Sequence, residues 1–185
     1  MGLVRGLNEI NLMEDHQIIG SSEPVKALHE RSPIDYLTER QLQNKKYWKN
    51  IRSHLNWIDD NIMCPEPNKS NFQNLRIKGT GCTLRARQTV RHKEISAAFV
   101  ISSKKSTGYF YSLRIEQEEV ETEFGDKLEW MSNEKSYKQV GYRNREMDPG
   151  DETDWHNQHV WLSDTLEKLY KVFGPRVEKL MKEQI

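Results

Sequence analysis

The strongest constraint on the fold is an apolar stripe near the C-terminus. Trp155, Leu162, Leu166, Leu169, Phe173, Val177 and Leu180 recur at steps of three, four and seven, which places them on one face of a helix. Asp154 stands where an N-cap is wanted. Gly174-Pro175 falls inside the stripe. Proline lacks the N–H and crowds the preceding turn, so a kink or a split into two helices is expected there. A second stripe comprises Trp48, Ile51, Leu55, Ile58 and Ile62. It follows Thr38-Glu39-Arg40-Gln41, a capping box in which hydroxyl and amide satisfy each other's backbone donors. This predicts a helix over 39–61, ended by Pro65 and Pro67. Two helices with one apolar face each need a layer to pack against.

Residues 74–115 supply that layer. Leu75–Val90, Ile95–Ser102 and Tyr109–Ile115 read as strands of an antiparallel meander. Gly79 and Gly81 suggest a bulge or bend in the first, and residues 104–108 a turn between the second and third. A short helix, Glu118–Phe124, then stops at Gly125. Leu128–Met131 and Tyr137–Arg143 are two more short strands, and Met147–Gly150 is a turn. The expected fold is α+β: one domain over 36–185, with the meander flanked by an N-terminal helix and a long kinked C-terminal helix. Residues 1–35 carry scattered apolar positions broken by Gly20-Ser21-Ser22-Glu23-Pro24. They are too short for a core of their own and read as an N-terminal extension, flexible unless tied down.

The 185 residues are 35% hydrophobic, lean for a globular chain, but five Trp, seven Tyr and five Phe supply buried area efficiently. No apolar run approaches the roughly 18–20 residues that span a bilayer. Charges interrupt the N-terminus too early for a signal peptide, and Gly6 stands where myristoylation wants Ser or Thr. Cys64 and Cys82 form no CxxC pair. No membrane partner and a reducing cytoplasm are the expectation.

Charge is balanced overall, 28 basic against 28 acidic residues. That excludes a globally basic nucleic-acid coat and a globally acidic mimic. The balance hides a segregation. Arg76, Lys78, Arg85, Arg87, Arg91, Lys93, Lys104 and Lys105 crowd the meander, where the only acid is Glu94. Acids gather at 116–129 and 146–154. Arg85 and Arg87 alternate, so both point to one face of a regular strand. Such a face meets phosphates with little sequence preference. The competing account is an ordinary solvated sheet surface.

Catalytic signatures are sparse. No lysine has an acid two positions earlier, so the acid-x-Lys arrangement of a metal-dependent nuclease is missing. No Walker motif, EF-hand or HExxH occurs, and no cofactor is expected. His156 and His159, three apart beside Asp154 and Asp151, are the candidate metal ligands. Cys64 and Cys82 with His54 or His92 are a candidate nucleophile pair without a supporting local motif. Gly79-Thr80-Gly81-Cys82 is half of a glycine-rich phosphate loop, lacking its lysine and its helix. Trp57 falls off its stripe, as a partly exposed interface anchor or stacking platform would.

Three pieces in order carry a resemblance: Tyr36-Leu37-Thr38-Glu39-Arg40-Gln41 with Tyr47-Trp48; Tyr111-Ser112-Leu113 with Val120 to Trp130; and Asp154-Trp155, His159, Trp161-Leu162, Leu169 and Phe173. Together, over about residues 36–182, they resemble a prokaryotic family of unknown function. Its members often form the C-terminal half of proteins whose N-terminal half is restriction-nuclease-like. The resemblance implies an accessory module in a DNA-processing or defence setting, without the nuclease half. The functional expectation is a non-catalytic module contacting DNA or RNA, or a nucleic-acid-processing partner, through the eight basic residues. Two alternatives stand beside it. One is a protein–protein adaptor or homo-oligomer using the two helices. The other is a metal-dependent hydrolase.

Overall fold

The computed structural model describes residues 37–101, 107–132 and 138–183. Helix α1 (Glu39–Ile51) opens with the expected capping box: Thr38 Oγ1 accepts from Gln41 N–H, and Thr38 N–H donates to Gln41 Oε1 at 2.9 Å. It ends ten residues before the expected boundary, passing through a 3₁₀ turn, Arg52–His54. A side-chain contact from the last helix draws the chain away there, because Ser163 Oγ takes the His54 carbonyl at 2.6 Å. Leu55 and Ile62 are still buried. The stripe therefore marks burial correctly but does not mark one helix.

A six-stranded antiparallel sheet follows, in the order β1-β2-β3-β4-β6-β5. Its strands are β1 (Ile62–Met63), β2 (Phe72–Ile77), β3 (Cys82–Thr89), β4 (Glu94–Ile101), β5 (Glu129–Ser132) and β6 (Lys138–Asn144). The expected strand Leu75–Val90 is two strands. Gly79 at φ 75° and Gly81 at φ 69° reverse the chain between them, making a hairpin turn rather than a bulge. Lys93, at φ 50°, turns β3 into β4.

Tyr109–Ile115 is not a strand. Residues Thr107–Ile115 form α2. Tyr109, Phe110 and Leu113 are buried while Tyr111 and Ile115 are exposed. Period-two alternation would have grouped Tyr109, Tyr111, Leu113 and Ile115 on one side. Aromatic residues favour strands, but here a helical apolar face closes the end of the core. Helix α3 (Gln117–Phe124) stops at Gly125, φ 92°, as expected.

Helix α4 (Trp155–Lys182) runs unbroken through Pro175. Of the kink or split expected there, the split does not occur. Arg176 Nη1 donates to the Val172 carbonyl at 2.7 Å, adding a donor in the turn where proline withholds one. A Cβ at Gly174 would lie 3.2 Å from the Tyr170 ring. Asp154 precedes α4, but its carboxylate takes the side-chain amides of Asn157 and Gln158. Asp151 caps the preceding 3₁₀ turn, Glu152–Asp154, accepting from Thr153 N–H.

One core lies on one side of the sheet. Leu75, Leu84, Ala97, Phe99 and Val140 face Trp48, Ile51, Leu113, Val120, Leu166 and Phe173. Two of its polar members are tied down: Asn44 Nδ2 donates to the Lys69 carbonyl, and Tyr47 Oη donates to Gln158 Oε1. Trp57 donates to Ser163 Oγ at 3.0 Å and packs on the core, so it is no free platform.

At the sheet's far corner the Glu121 carboxylate, only 4% exposed, gathers Gln117, Lys127, the Leu128 amide and Trp130 Nε1. Burial alone would raise its pKa, but these donors outweigh it and bring the value to about 2. E121A strands the Leu128 and Trp130 donors and should cost about 1–3 kcal/mol in urea unfolding. The carboxylate's contribution is complete above its unfolded value of 4.5 and is lost as pH falls toward about 2. A variant as stable as the parent at neutral pH would contradict this.

Candidate nucleic-acid interface

The side of the sheet away from the core is built in cross-strand rows. Register places Phe72, Arg87, Ser96 and Arg143 in one row. Asn74, Arg85, Ala98, Gly141 and Glu129 form the next. Arg76, Thr83, Val100, Gln139 and Met131 form the third. The expected alternation of Arg85 and Arg87 holds: Cys82, Leu84, Ala86 and Gln88 are buried, and the residues between them are half-buried.

Within these rows the charges divide. Arg143 is bracketed by Glu94 and Glu129, each at 2.8 Å, and Arg145 adds contacts at 3.7 and 3.8 Å. The β5–β6 side is thus neutralised by its own carboxylates. On the β2–β3 side Arg85 Nε donates to Asn74 Oδ1 at 2.8 Å. The Arg85 and Arg87 guanidinium carbons lie 4.9 and 5.9 Å from the Phe72 ring centroid. Among the described residues Arg76 and Arg87 form no ion pair. Guanidinium groups ordered around an aromatic ring suit phosphates and stacked bases.

The eight expected basic residues do not form one patch. Arg76, Arg85 and Arg87 share the open face. Lys78 sits in the β2–β3 turn, its Nζ on the Asp60 carbonyl. Arg91 and Lys93 lie at the opposite end of β3, about 25 Å away along the strand. Lys93 there pairs with Asp148 at 3.3 Å. Lys104 and Lys105 fall outside the described residues, as does the expected extension 1–35.

The metal candidates separate. His156 is exposed, His159 is 1% exposed, and Asp154 is engaged by side-chain amides. His54, from the 3₁₀ turn, joins the two histidines with ring centroids 5.1 and 5.7 Å away. Sequence spacing gave no sign of that third ring. Among the described residues no group of three or more His, Cys, Asp or Glu stands in metal-holding geometry. The thiols are poor nucleophiles. Burial pushes Cys82 up to about 11, against a hydrogen bond with Thr80, and burial also raises Cys64.

An antiparallel sheet carrying its helices and core on one side, and an arginine–phenylalanine row on the other, defines an α+β domain. The chain belongs to the DUF4268 family, a domain of unknown function, whose pattern matches residues 43–177. Searches of curated proteins and of solved structures found no match.

Proposed function

We propose that this domain is an accessory binding module that contacts a nucleic-acid backbone through the open face of β2 and β3. Arg76, Arg85 and Arg87 make the phosphate contacts, and Phe72 lies among them as an aromatic surface. The observation that supports this most is the row register, which stacks two guanidinium groups over one aromatic ring on the side away from the core. The restriction-associated setting implied by the sequence resemblance fits such a role.

For the adaptor reading, which draws on both long helices, Leu162, Leu166, Leu169 and Phe173 are core residues, each 0% exposed, whereas Leu42 of α1 and Val160 of α4 are exposed.

Titrating the pure protein into labelled single-stranded and duplex DNA and RNA tests the proposal. Three phosphate contacts should cost roughly 40-fold in affinity for duplex between about 50 and 200 mM salt. R76E/R87E should weaken binding on every sequence alike and flatten that slope. Unchanged binding by the double variant would refute this interface.

A further inference from the structure

The middle of the open face is hollow. Between Glu94 and Val100, strand β4 carries the small residues Ser96 and Ala98 on this face, and Ala98 is in register with Gly141 of β6. A Cβ on Gly141 would lie 3.4 Å from the Ala98 Cβ, so its absence keeps the floor flat. Long side chains rise on both sides: Arg85 and Arg87 from β3, Gln139 and Arg143 from β6. The result is a trough of about 300 Å³. That is about the size of one nucleotide, near the lower end of ligand pockets.

At the β3–β4 turn, His92 and Glu94 line the trough. Glu94 is already met by Arg143 and Arg145, so its charge does not stand alone. Arg143 keeps a buried Nε–H without an acceptor among the described residues. A polynucleotide following this trough runs into the turn. An internal phosphodiester needs an exit on both sides, whereas a terminal phosphate needs one. Terminal phosphate also carries more charge than an internal phosphodiester and offers three acceptor oxygens to guanidinium groups.

Building on the proposed backbone contact, we propose that this trough seats the terminal phosphorylated nucleotide of a nucleic-acid strand. The domain then prefers phosphate-bearing ends over the interior of a strand.

The test compares one single-stranded oligonucleotide with a 5′-phosphate, a 3′-phosphate or hydroxyl ends, alongside free mononucleotide. A phosphorylated end should bind about 10-fold tighter than hydroxyl ends, the scale of one added charge-assisted contact. S96L fills the floor and Q139E adds a repelling carboxylate to the wall. Each should weaken phosphorylated-end binding more than hydroxyl-ended binding and so erase the end preference. Equal affinity for all ends would overturn the inference while leaving the backbone contact standing. Absence of strand binding at low salt would sink the backbone contact. Mononucleotide binding abolished by S96L would then still support the trough, and its absence would dismiss it too.

Discussion

F173A should lose about 3–5 kcal/mol of stability, a large part of the 5–15 kcal/mol typical of a domain. Phe173 is fully buried where α4 crosses the sheet. Its ring stacks on Phe99 of β4 at 5.0 Å and meets the Trp130 ring edgewise at 6.1 Å. Truncation leaves a cavity walled by two aromatic rings and a strand, none of which can collapse without moving the sheet. Urea unfolding at neutral pH should show the midpoint falling with little change in slope. F173L keeps most of the volume and should lose far less. A loss below about 1 kcal/mol for F173A would mean that α4 is not seated on β4 as described.

Acid should unseat the domain through His159. The imidazole lies under Tyr47 of α1 and beside Trp155, with His54 and His156 facing it and Asp154 one turn away. Burial, then the charges of His54 and His156, pull its pKa from 6.5 to about 4, against a hydrogen bond with the Tyr47 backbone. The unfolded chain therefore binds more protons between those two values. Stability is complete above pH about 6.5 and falls with pH until about 4, by roughly 3 kcal/mol in all. Denaturant midpoints at several pH values across that window measure it. H159Q should flatten the decline. A decline of the same size in H159Q would assign the acid loss to other groups.

Both residues show what the sequence made legible. Phe173 was readable because a long stripe with helical period has one interpretation. The Arg85–Arg87 alternation was readable because strand geometry acts on neighbours. Gly125 and the short strands at 129–132 and 138–144 also announced themselves locally. Failures came where a distant element decides. Tyr109–Ile115 has strand-like composition, and only the need to close the core end makes it helical. The apolar spacing of 48–62 persists past the helix because Ser163, far along the chain, captures the His54 carbonyl. The candidate interface was half legible. Arg85 and Arg87 share a face as their alternation implied, and Arg76 joins them through the β2–β3 register. The partition of the basic cluster depended on partners such as Asp148 for Lys93 and the Asp60 carbonyl for Lys78, which no local pattern reveals. The trough was invisible, because its floor joins Ser96 and Ala98 to Gly141 across a pairing made only in the folded sheet.

That pairing also sets an order of events on the ribosome. β4 is the central strand, yet its second neighbour is β6, which emerges only after α2, α3 and the edge strand β5. Until β6 arrives, a nascent chain presents the Ala97–Ile101 segment with one ladder edge unsatisfied, and its apolar side stays open until α4 follows. Synthesis stalled after β5 should therefore yield a sticky intermediate that calls on chaperones, while release of the finished chain lets sheet and lid close together.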